Sequence, residues 1–170
     1  EQIDSLSVIA TEFSNFAKMP AGKMKKVDMV AVINNCIDLF REENNVEIIY
    51  TGEANNVYVN ADREQLVRVF NNLIKNAVQA IPDDVKGRVE VNVKVGKTVV
   101  VEIHDNGKGI NEDIANDIFV PNFTTKSSGM GLGLAMVKSL IEGMGGDIAL
   151  DRTVQVGAKF RISLKRFVEN

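Results

Sequence analysis

Two neighbouring segments of alternating residues, 88–95 and 98–104, constrain the fold of this chain more than any other feature of its sequence. In the second segment Val99, Val101 and Ile103 occupy every other position, and this period of two indicates a strand with one buried face. Only Gly96 and Lys97 separate the two segments, which is the length of a tight hairpin turn. A hairpin of this kind needs further strands beside it and a second layer to cover its apolar face.

Separate helical segments can supply that layer. Asp28 is positioned to cap a helix over 29–43, and Asp62 to cap a longer one that ends near Ile81, before Pro82. A further helix is predicted at 131–144 and a short one at 112–118, with additional strands at 46–51, 57–60, 147–152 and 158–164. The expected fold class is therefore α+β, a two-layer α/β sandwich in which a mixed sheet carries helices on one face.

The first twenty residues form a separate pattern. Apolar residues follow a helical 3-4 spacing from Ile3 to Ala17, and this fits equally a helix packed on its own domain and one strand of a helical dimer. Pro20 and Gly22 end the helix. The lysines at 23, 25 and 26 predict a solvated basic linker.

Composition excludes several classes of function. A net charge of −3 provides no broad basic field for nucleic acid or a membrane surface, and the sequence contains no apolar run long enough to span a bilayer. The single cysteine, Cys36, excludes a disulfide framework and fits a reducing compartment. Because position 1 is Glu rather than Met, we expect a cytoplasmic fragment of a longer protein, which could itself be anchored in a membrane.

Three amides lie on one side of the long helix. Asn72, Asn76 and Gln79 are spaced i, i+4 and i+7, so they project in the same direction. Amide oxygens are hard, neutral ligands that suit Mg²⁺ when phosphates supply the other ligands. The alternative is a solvated polar edge of the helix.

The sequence DNGKGI at 105–110 follows the second strand of the hairpin. Asp105 is in phase with the apolar face, so its carboxylate arrives on the core side and needs a hydrogen-bond donor, such as the exocyclic amine of adenine. Gly107 and Gly109 allow the backbone to approach a flat ligand closely. The alternative is a plain turn, since D-N-G is turn-prone.

A second glycine-rich stretch, 129–134, opens the helix predicted at 131–144. It matches neither the G-x-x-x-x-G-K-[ST] phosphate loop nor the dinucleotide fingerprint. A glycine-rich helix start still leaves several free N–H groups, which together with the helix dipole form an anion site. Lys126, just upstream, has the reach to meet a terminal phosphate. The alternatives are a flexible hinge and an ordinary surface lysine.

Taken together, these stretches resemble the ATP-binding catalytic domain of bacterial sensor histidine kinases, over about residues 28–165. NNLIKNAVQA is similar to that family's N box, DNGKGI to its G1 box, PNFTTK to its F box and GMGLGLAM to its G2 box, in the family order. FTTKSSGMGLGLAMVKSLIEGMGG is especially similar to the nitrogen-regulatory type, and residues 3–20 resemble the end of the second dimerisation helix. This resemblance implies two parts, a dimerisation-helix end and linker at 1–22 and an ATP-binding catalytic domain at 23–170.

The resemblance also implies roles for individual residues. Asp105 would read adenine N6, Asn76 would ligate Mg²⁺ and Asn72 would help to order the site. Lys75 would approach phosphate from the lip, Lys126 and the amides of 131–134 would hold the phosphates, and residues 111–130 would form a mobile lid. The catalytic set is Asn72, Asn76 and Lys126. The nucleotide-binding set is Asn72, Lys75, Asn76, Asp105, Gly107, Gly109, Ile110, Thr125, Lys126, Gly129, Met130, Gly131, Leu132, Gly133 and Leu134.

The implied reaction is phosphoryl transfer from Mg²⁺–ATP to a histidine on an upstream dimerisation domain, then to the receiver domain of a response regulator. A homodimer through the N-terminal helix is a further implied partner, and nucleic acid is not. The only histidine here, His104, lies on a predicted strand, which is a poor place for the family's exposed acceptor. Ala158 and Lys159 stand where the family often has a Thr near adenine.

Two alternatives remain. Gyrase-like ATPases of the same fold carry a Glu four residues before the N-box Asn, but this chain has Asn72, and an amide cannot act as a general base. A nucleotide-binding scaffold without turnover would keep the same binding residues.

Overall fold

The computed structural model describes residues 22–41, 46–52, 56–121 and 131–168. The predicted helix at 3–19 lies outside these ranges. The described strands are β1 (Lys25–Asp28), β2 (Val46–Tyr50), β3 (Tyr58–Ala61), β4 (Gly87–Val95), β5 (Thr98–Asp105), β6 (Asp147–Asp151) and β7 (Lys159–Lys165). The described helices are α1 (Met29–Phe40), α2 (Arg63–Ala80) and α3 (Gly133–Gly143).

The two predicted helix caps are confirmed. The Asp28 side chain accepts a hydrogen bond from the Ala31 N–H, and that of Asp62 accepts one from the Gln65 N–H at 3.0 Å. Each carboxylate thereby satisfies an N–H group that has no partner within its helix.

Five strands form one mixed sheet in the order β2-β4-β5-β7-β6. The β4–β5 hairpin lies near its centre and pairs antiparallel, with Val91 opposite Ile103. β2 pairs parallel to β4, whereas β5–β7 and β6–β7 are antiparallel. The predicted α+β fold with a mixed sheet and helices is confirmed.

The core lies between this sheet and the helices. Val89, Val101 and Ile162 point into it from three neighbouring strands, and Phe70 of α2 meets them fully buried. The alternate residues of the strands face the other side of the sheet. There Glu102 is only 7% exposed and pairs with Lys94 at 2.8 Å and Arg161 at 3.2 Å.

The solvated linker predicted at 23, 25 and 26 is wrong in part, because Lys25 and Lys26 begin β1. This strand pairs antiparallel with β3 in a separate two-stranded sheet, where buried Val27 lies opposite Val59. The lysine side chains are exposed, so the sequence pattern looks solvated. The strand forms because its backbone groups find partners thirty or more residues away, which no local pattern reveals.

The short helix predicted at 112–118 is reduced to a 3₁₀ turn, Glu112–Ile114, followed by further turns. Its N–H groups bond three residues back, as in Ala115 N–H to the Glu112 carbonyl. Such i→i+3 bonding is tighter than in an α-helix and is used in short pieces.

Candidate functional site

Helix α2 runs along the candidate site and touches both of its ends. At its C-terminal end the Ala80 carbonyl accepts a hydrogen bond of 3.0 Å from the Lys108 N–H, in the loop that follows β5. Eight residues earlier, the Asn72 side chain lies against the start of α3, where a Cβ added to Gly133 would be 2.6 Å from Asn72 Oδ1. At 1.5 Å per residue these two contacts are about 12 Å apart along the helix.

Asp105 ends β5 and is only 4% exposed. Its Oδ1 accepts hydrogen bonds from the N–H groups of Gly107 at 2.8 Å and Ala158 at 3.3 Å. Burial raises the pKa of the Asp105 carboxyl, and the bonds from these two amides offset part of that rise. Because both amides bond to Oδ1, Oδ2 is the oxygen left for a donor on a ligand.

Glycines bring backbone close around this carboxylate. A Cβ on Gly107 would lie 2.5 Å from the Ala80 carbonyl oxygen, so the loop packs directly on the end of α2. Gly109 has φ +71°, and a Cβ there would lie 3.0 Å from the Gly157 carbonyl oxygen. A flat ligand beside Asp105 would therefore meet bare backbone at this loop.

Asn106, between these residues, fastens the loop to the sheet. Its Oδ1 accepts a bond of 2.8 Å from the Arg88 N–H, and its Nδ2 donates to the Lys86 carbonyl at 2.9 Å. The D-N-G sequence therefore forms a turn, and the side chain of Asn106 holds that turn in place. This does not conflict with contacts between a ligand and the neighbouring residues.

The start of α3 has the features of an anion site. Leu132 occupies the cap position, and its side chain contains no oxygen to bond the first N–H groups of the helix. Gly131 just before it has φ +66°. The first-turn N–H groups therefore receive no hydrogen bond from a cap side chain, and Asn72 lies beside them.

Asn76 lies one helical turn after Asn72 and one turn before Ala80, and its side chain is half-buried. It is therefore between the two contacts of α2, on the side that carries Asn72. Gln79 and Lys75 are exposed. Ile110 and Leu134 are half-buried against the core, so their side chains contribute packing and only their backbone is available to a ligand.

Thr125, Lys126, Gly129 and Met130 lie outside the described residues. The stretch just before them, part of the predicted lid at 111–130, is packed on the domain as far as Phe119. Ile118 is buried, the Phe119 ring meets Phe160 edge-on at 6.2 Å between centroids, and Lys138 of α3 lies 5.7 Å from the Phe119 centroid.

Sequence reasoning missed one wall of the site, the turn between β6 and β7. Gly157 in this turn has φ +69°, and a Cβ there would lie 1.7 Å from the Asp105 carbonyl oxygen. A glycine immediately before a strand was the available signal, since it marks close backbone approach or a left-handed turn.

The described site thus brings together a buried carboxylate whose Oδ1 accepts two backbone N–H groups, a loop rich in glycine, a row of side-chain amides, and a helix start without a side-chain cap. A purine with an exocyclic amine fits the first end, and a phosphate chain fits the second. No helix among the residues that the structure describes is both long and apolar enough to cross a membrane.

Comparisons with known proteins point to one family. Residues 61–167 match the sequence profile described as "Histidine kinase-, DNA gyrase B-, and HSP90-like ATPase". The nitrogen regulation protein NtrY of Azorhizobium caulinodans is 33% identical over 96% of this chain, and the sensor histidine kinase ZraS of Escherichia coli K12 is 32% identical over 96%. The chain spans only 22% of NtrY and 36% of ZraS.

A solved structure of a histidine kinase has the same fold as this chain. The catalytic domain of the histidine kinase ThkA, in a nucleotide-free form, superposes with a TM-score of 0.77 at 26% identity. The match covers 85% of this chain and 96% of that one.

Proposed function

This chain belongs to the histidine kinase-, DNA gyrase B- and HSP90-like ATPase family, and from that premise we propose that it binds Mg²⁺–ATP and supplies the catalytic site of a sensor histidine kinase. In the whole protein it would transfer the γ-phosphoryl group to a histidine on a dimerisation domain. A response-regulator receiver domain would accept the group next. Residues 1–22 would contribute the end of the dimerisation helix, and 23–170 the catalytic domain.

The observation that carries this proposal is the arrangement along α2. The carboxylate of Asp105, whose Oδ2 can accept a hydrogen bond from a base, lies near Ala80 of α2. The start of α3, which has no side-chain cap, lies near Asn72, about 12 Å away along α2. Adenine would donate its N6 amine to Asp105, and the phosphates would accept from the N–H groups at 131–134. Thr125, Lys126, Gly129 and Met130 would complete the phosphate end.

Asn76 supports a magnesium site between these ends. Its amide oxygen is a suitable ligand, and its half-buried position between the two contacts of α2 lies where a phosphate chain would pass. A bound Mg²⁺ would neutralise phosphate charge. Asn72 would order the start of α3 through its contact with Gly133, and exposed Lys75 would approach the phosphates from the rim.

Asn72 also favours transfer over hydrolysis. An amide has no basic atom with which to take a proton from water, and its Oδ1 is directed at the start of α3. Phosphoryl transfer needs mainly positioning and charge neutralisation, which the amides and helix terminus can provide. A gyrase-like ATPase is therefore the weaker proposal.

His104 is unsuited to be the phosphoacceptor. It is half-buried on the face of the sheet opposite the helices, and its Nε2 lies 3.0 Å from the Val156 carbonyl oxygen. Since Asp105, the next residue along the strand, faces the opposite side, His104 points away from the site. The acceptor would be supplied by the dimerisation domain.

The test is phosphoryl transfer between separately produced domains. This chain, mixed with the dimerisation domain of its whole protein and Mg²⁺–ATP, is expected to give an acid-labile phosphohistidine on that domain, and none on itself. A non-hydrolysable ATP analogue should bind to the chain alone. Analogue binding without transfer would favour a nucleotide-binding scaffold, and absence of binding would refute the proposal.

An Asn76→Ala variant tests the magnesium ligand. Removing the amide oxygen is expected to weaken ATP binding in the presence of Mg²⁺ roughly tenfold, so that Mg²⁺ no longer strengthens it. Calorimetric titration with and without Mg²⁺ measures this. The matched control is Asn34→Ala, an exposed asparagine on α1, which should keep the full Mg²⁺ effect. A Mg²⁺ effect retained by Asn76→Ala would locate the ligand elsewhere.

A further inference from the structure

The turn between β6 and β7 is fastened to the end of β5 on both faces of the sheet. His104 and Asp105 are adjacent on β5, so their side chains point to opposite faces. On the face opposite the helices, His104 Nε2 lies 3.0 Å from the Val156 carbonyl oxygen. On the other face, Asp105 Oδ1 accepts the Ala158 N–H at 3.3 Å.

Two neighbouring side chains of one strand therefore hold the two ends of a three-residue stretch, Val156 to Ala158. Gly157, the middle residue, rests on the Asp105 backbone, where a Cβ would be 1.7 Å from its carbonyl oxygen. The Asp105 N–H also donates to the Ala158 carbonyl at 3.0 Å. Displacement of Val156 would move the amide that bonds to the recognition carboxylate.

The contact with the Val156 carbonyl requires a proton on Nε2 of His104. A carbonyl oxygen only accepts, so His104 must donate from Nε2, as the Nε2–H tautomer or as the imidazolium. Val156 itself is 61% exposed, so apolar burial of its side chain does little to hold the turn. The polar contact with His104 is thus an anchor for this end of the stretch.

Arg152 anchors the start of the same turn. Its guanidinium donates to Asn116 Oδ1 and lies 3.5 Å from Glu112 Oε2. Arg152 ties the turn to the segment after Ile110, whereas His104, on the strand that carries Asp105, ties the turn to β5. The two anchors therefore act on opposite ends of the turn.

We propose that His104 is a positioning residue for adenine recognition: by holding the Val156 carbonyl, it keeps the Ala158 N–H on Asp105 Oδ1 and so directs Oδ2 to the exocyclic amine of the base. This rests on the proposed function, since it assumes that Asp105 reads adenine. His104 does not touch the nucleotide in this arrangement, and its effect is confined to the base end of the site.

The test compares two nucleotides that differ only at the group Asp105 would read. ATP carries the N6 amine, and purine riboside triphosphate lacks it. A His104→Val variant keeps a strand-forming residue but loses the donor. We expect its affinity for ATP to fall about threefold to tenfold, as for loss of one hydrogen bond, while its affinity for purine riboside triphosphate is unchanged.

Two further variants complete the design. His104→Gln retains an N–H donor and is expected to recover at least part of the discrimination between the two nucleotides. Val100→Thr, also an outward-facing position on β5, is expected to leave it intact. Hydrogen exchange of a peptide covering 153–160 should be faster in His104→Val, because the Ala158 N–H is then less protected.

The possible outcomes separate the two proposals. Equal loss of affinity for both nucleotides in His104→Val would mean a general structural role and would overturn the inference, as would unchanged discrimination. A wild-type chain that binds both nucleotides equally would instead refute the reading of adenine by Asp105. A wild-type chain that binds neither would refute the proposed function itself.

Discussion

A Gly157→Ala variant is expected to lose about 2–5 kcal/mol of unfolding free energy and most of its affinity for ATP. The backbone at Gly157 has φ +69°, and a side chain in this left-handed region costs about 1–2 kcal/mol. The added Cβ would also lie 1.7 Å from the Asp105 carbonyl oxygen. Relieving that overlap must shift backbone, at a cost of about 1–3 kcal/mol, and it moves the turn away from Asp105.

Urea unfolding followed by circular dichroism measures the change in stability, and calorimetric titration measures the affinity for ATP. The matched control is Gly143→Ala. Gly143 ends α3, and an added Cβ would meet nothing within 4 Å, so this variant should be as stable as the wild type or up to about 1 kcal/mol more stable. If the two alanine variants had the same stability, the close packing of Gly157 on Asp105 would be wrong.

An Asp105→Asn variant is expected to bind ATP about tenfold to a hundredfold more weakly, a loss of about 1–3 kcal/mol. Oδ1 of residue 105 receives two backbone N–H donors, so the carbonyl oxygen of an asparagine would have to take that position. Its NH₂ group would then replace Oδ2. A donor would face the exocyclic amine of adenine, which is also a donor, and the bond would be lost.

The stability of Asp105→Asn should change in the opposite direction from its affinity. Burial raises the pKa of the Asp105 carboxyl, so the folded state binds its proton more strongly than the unfolded state does. The contribution of Asp105 to stability therefore falls as pH rises from the unfolded pKa through the folded one. At neutral pH the asparagine variant should be at least as stable as the wild type, and this advantage should disappear in acid.

Titration calorimetry measures the affinity for ATP, and urea unfolding near pH 7 and in acid measures the stability. Asp147→Asn, at an exposed position on β6, serves as the control and should leave the affinity for ATP unchanged. Undiminished ATP affinity in Asp105→Asn would remove Asp105 from adenine recognition, whatever its stability.

Local patterns were sufficient to predict most of the fold. The alternation at 88–95 and 98–104 predicts the central hairpin because one face is buried over most of its length. Asp28 and Asp62 predict helix starts because their bonds span three residues. β1 was missed because its partner, β3, is distant in sequence. The separate pairing of β3, outside the main sheet, has no local signal either.

Some residues of the candidate site were likewise predictable from local patterns, and others were not. Asp105 and Asn72 were predicted from their phase on a strand and a helix, and the structure locates Asp105 beside Gly107 and Gly157, and Asn72 beside Gly133. Gly157 and His104 acquire their importance only when β7 pairs with β5, which brings Lys159 opposite His104. The role of neither residue can be read locally, because the contact that matters joins positions about fifty residues apart.

Helix α2 sets the distance between the two ends of the candidate ligand site. It is one unbroken element of 18 residues. Its contacts through Asn72 and Ala80 lie at opposite ends of the candidate site. Inserting a single residue between them would lengthen this part of α2 by about 1.5 Å and rotate the residues beyond the insertion by about 100° about the helix axis. Asn76 or Ala80 would then no longer lie on the same side of the helix as Asn72. The eight-residue interval between Asn72 and Ala80 therefore cannot change length without disturbing one of these two contacts.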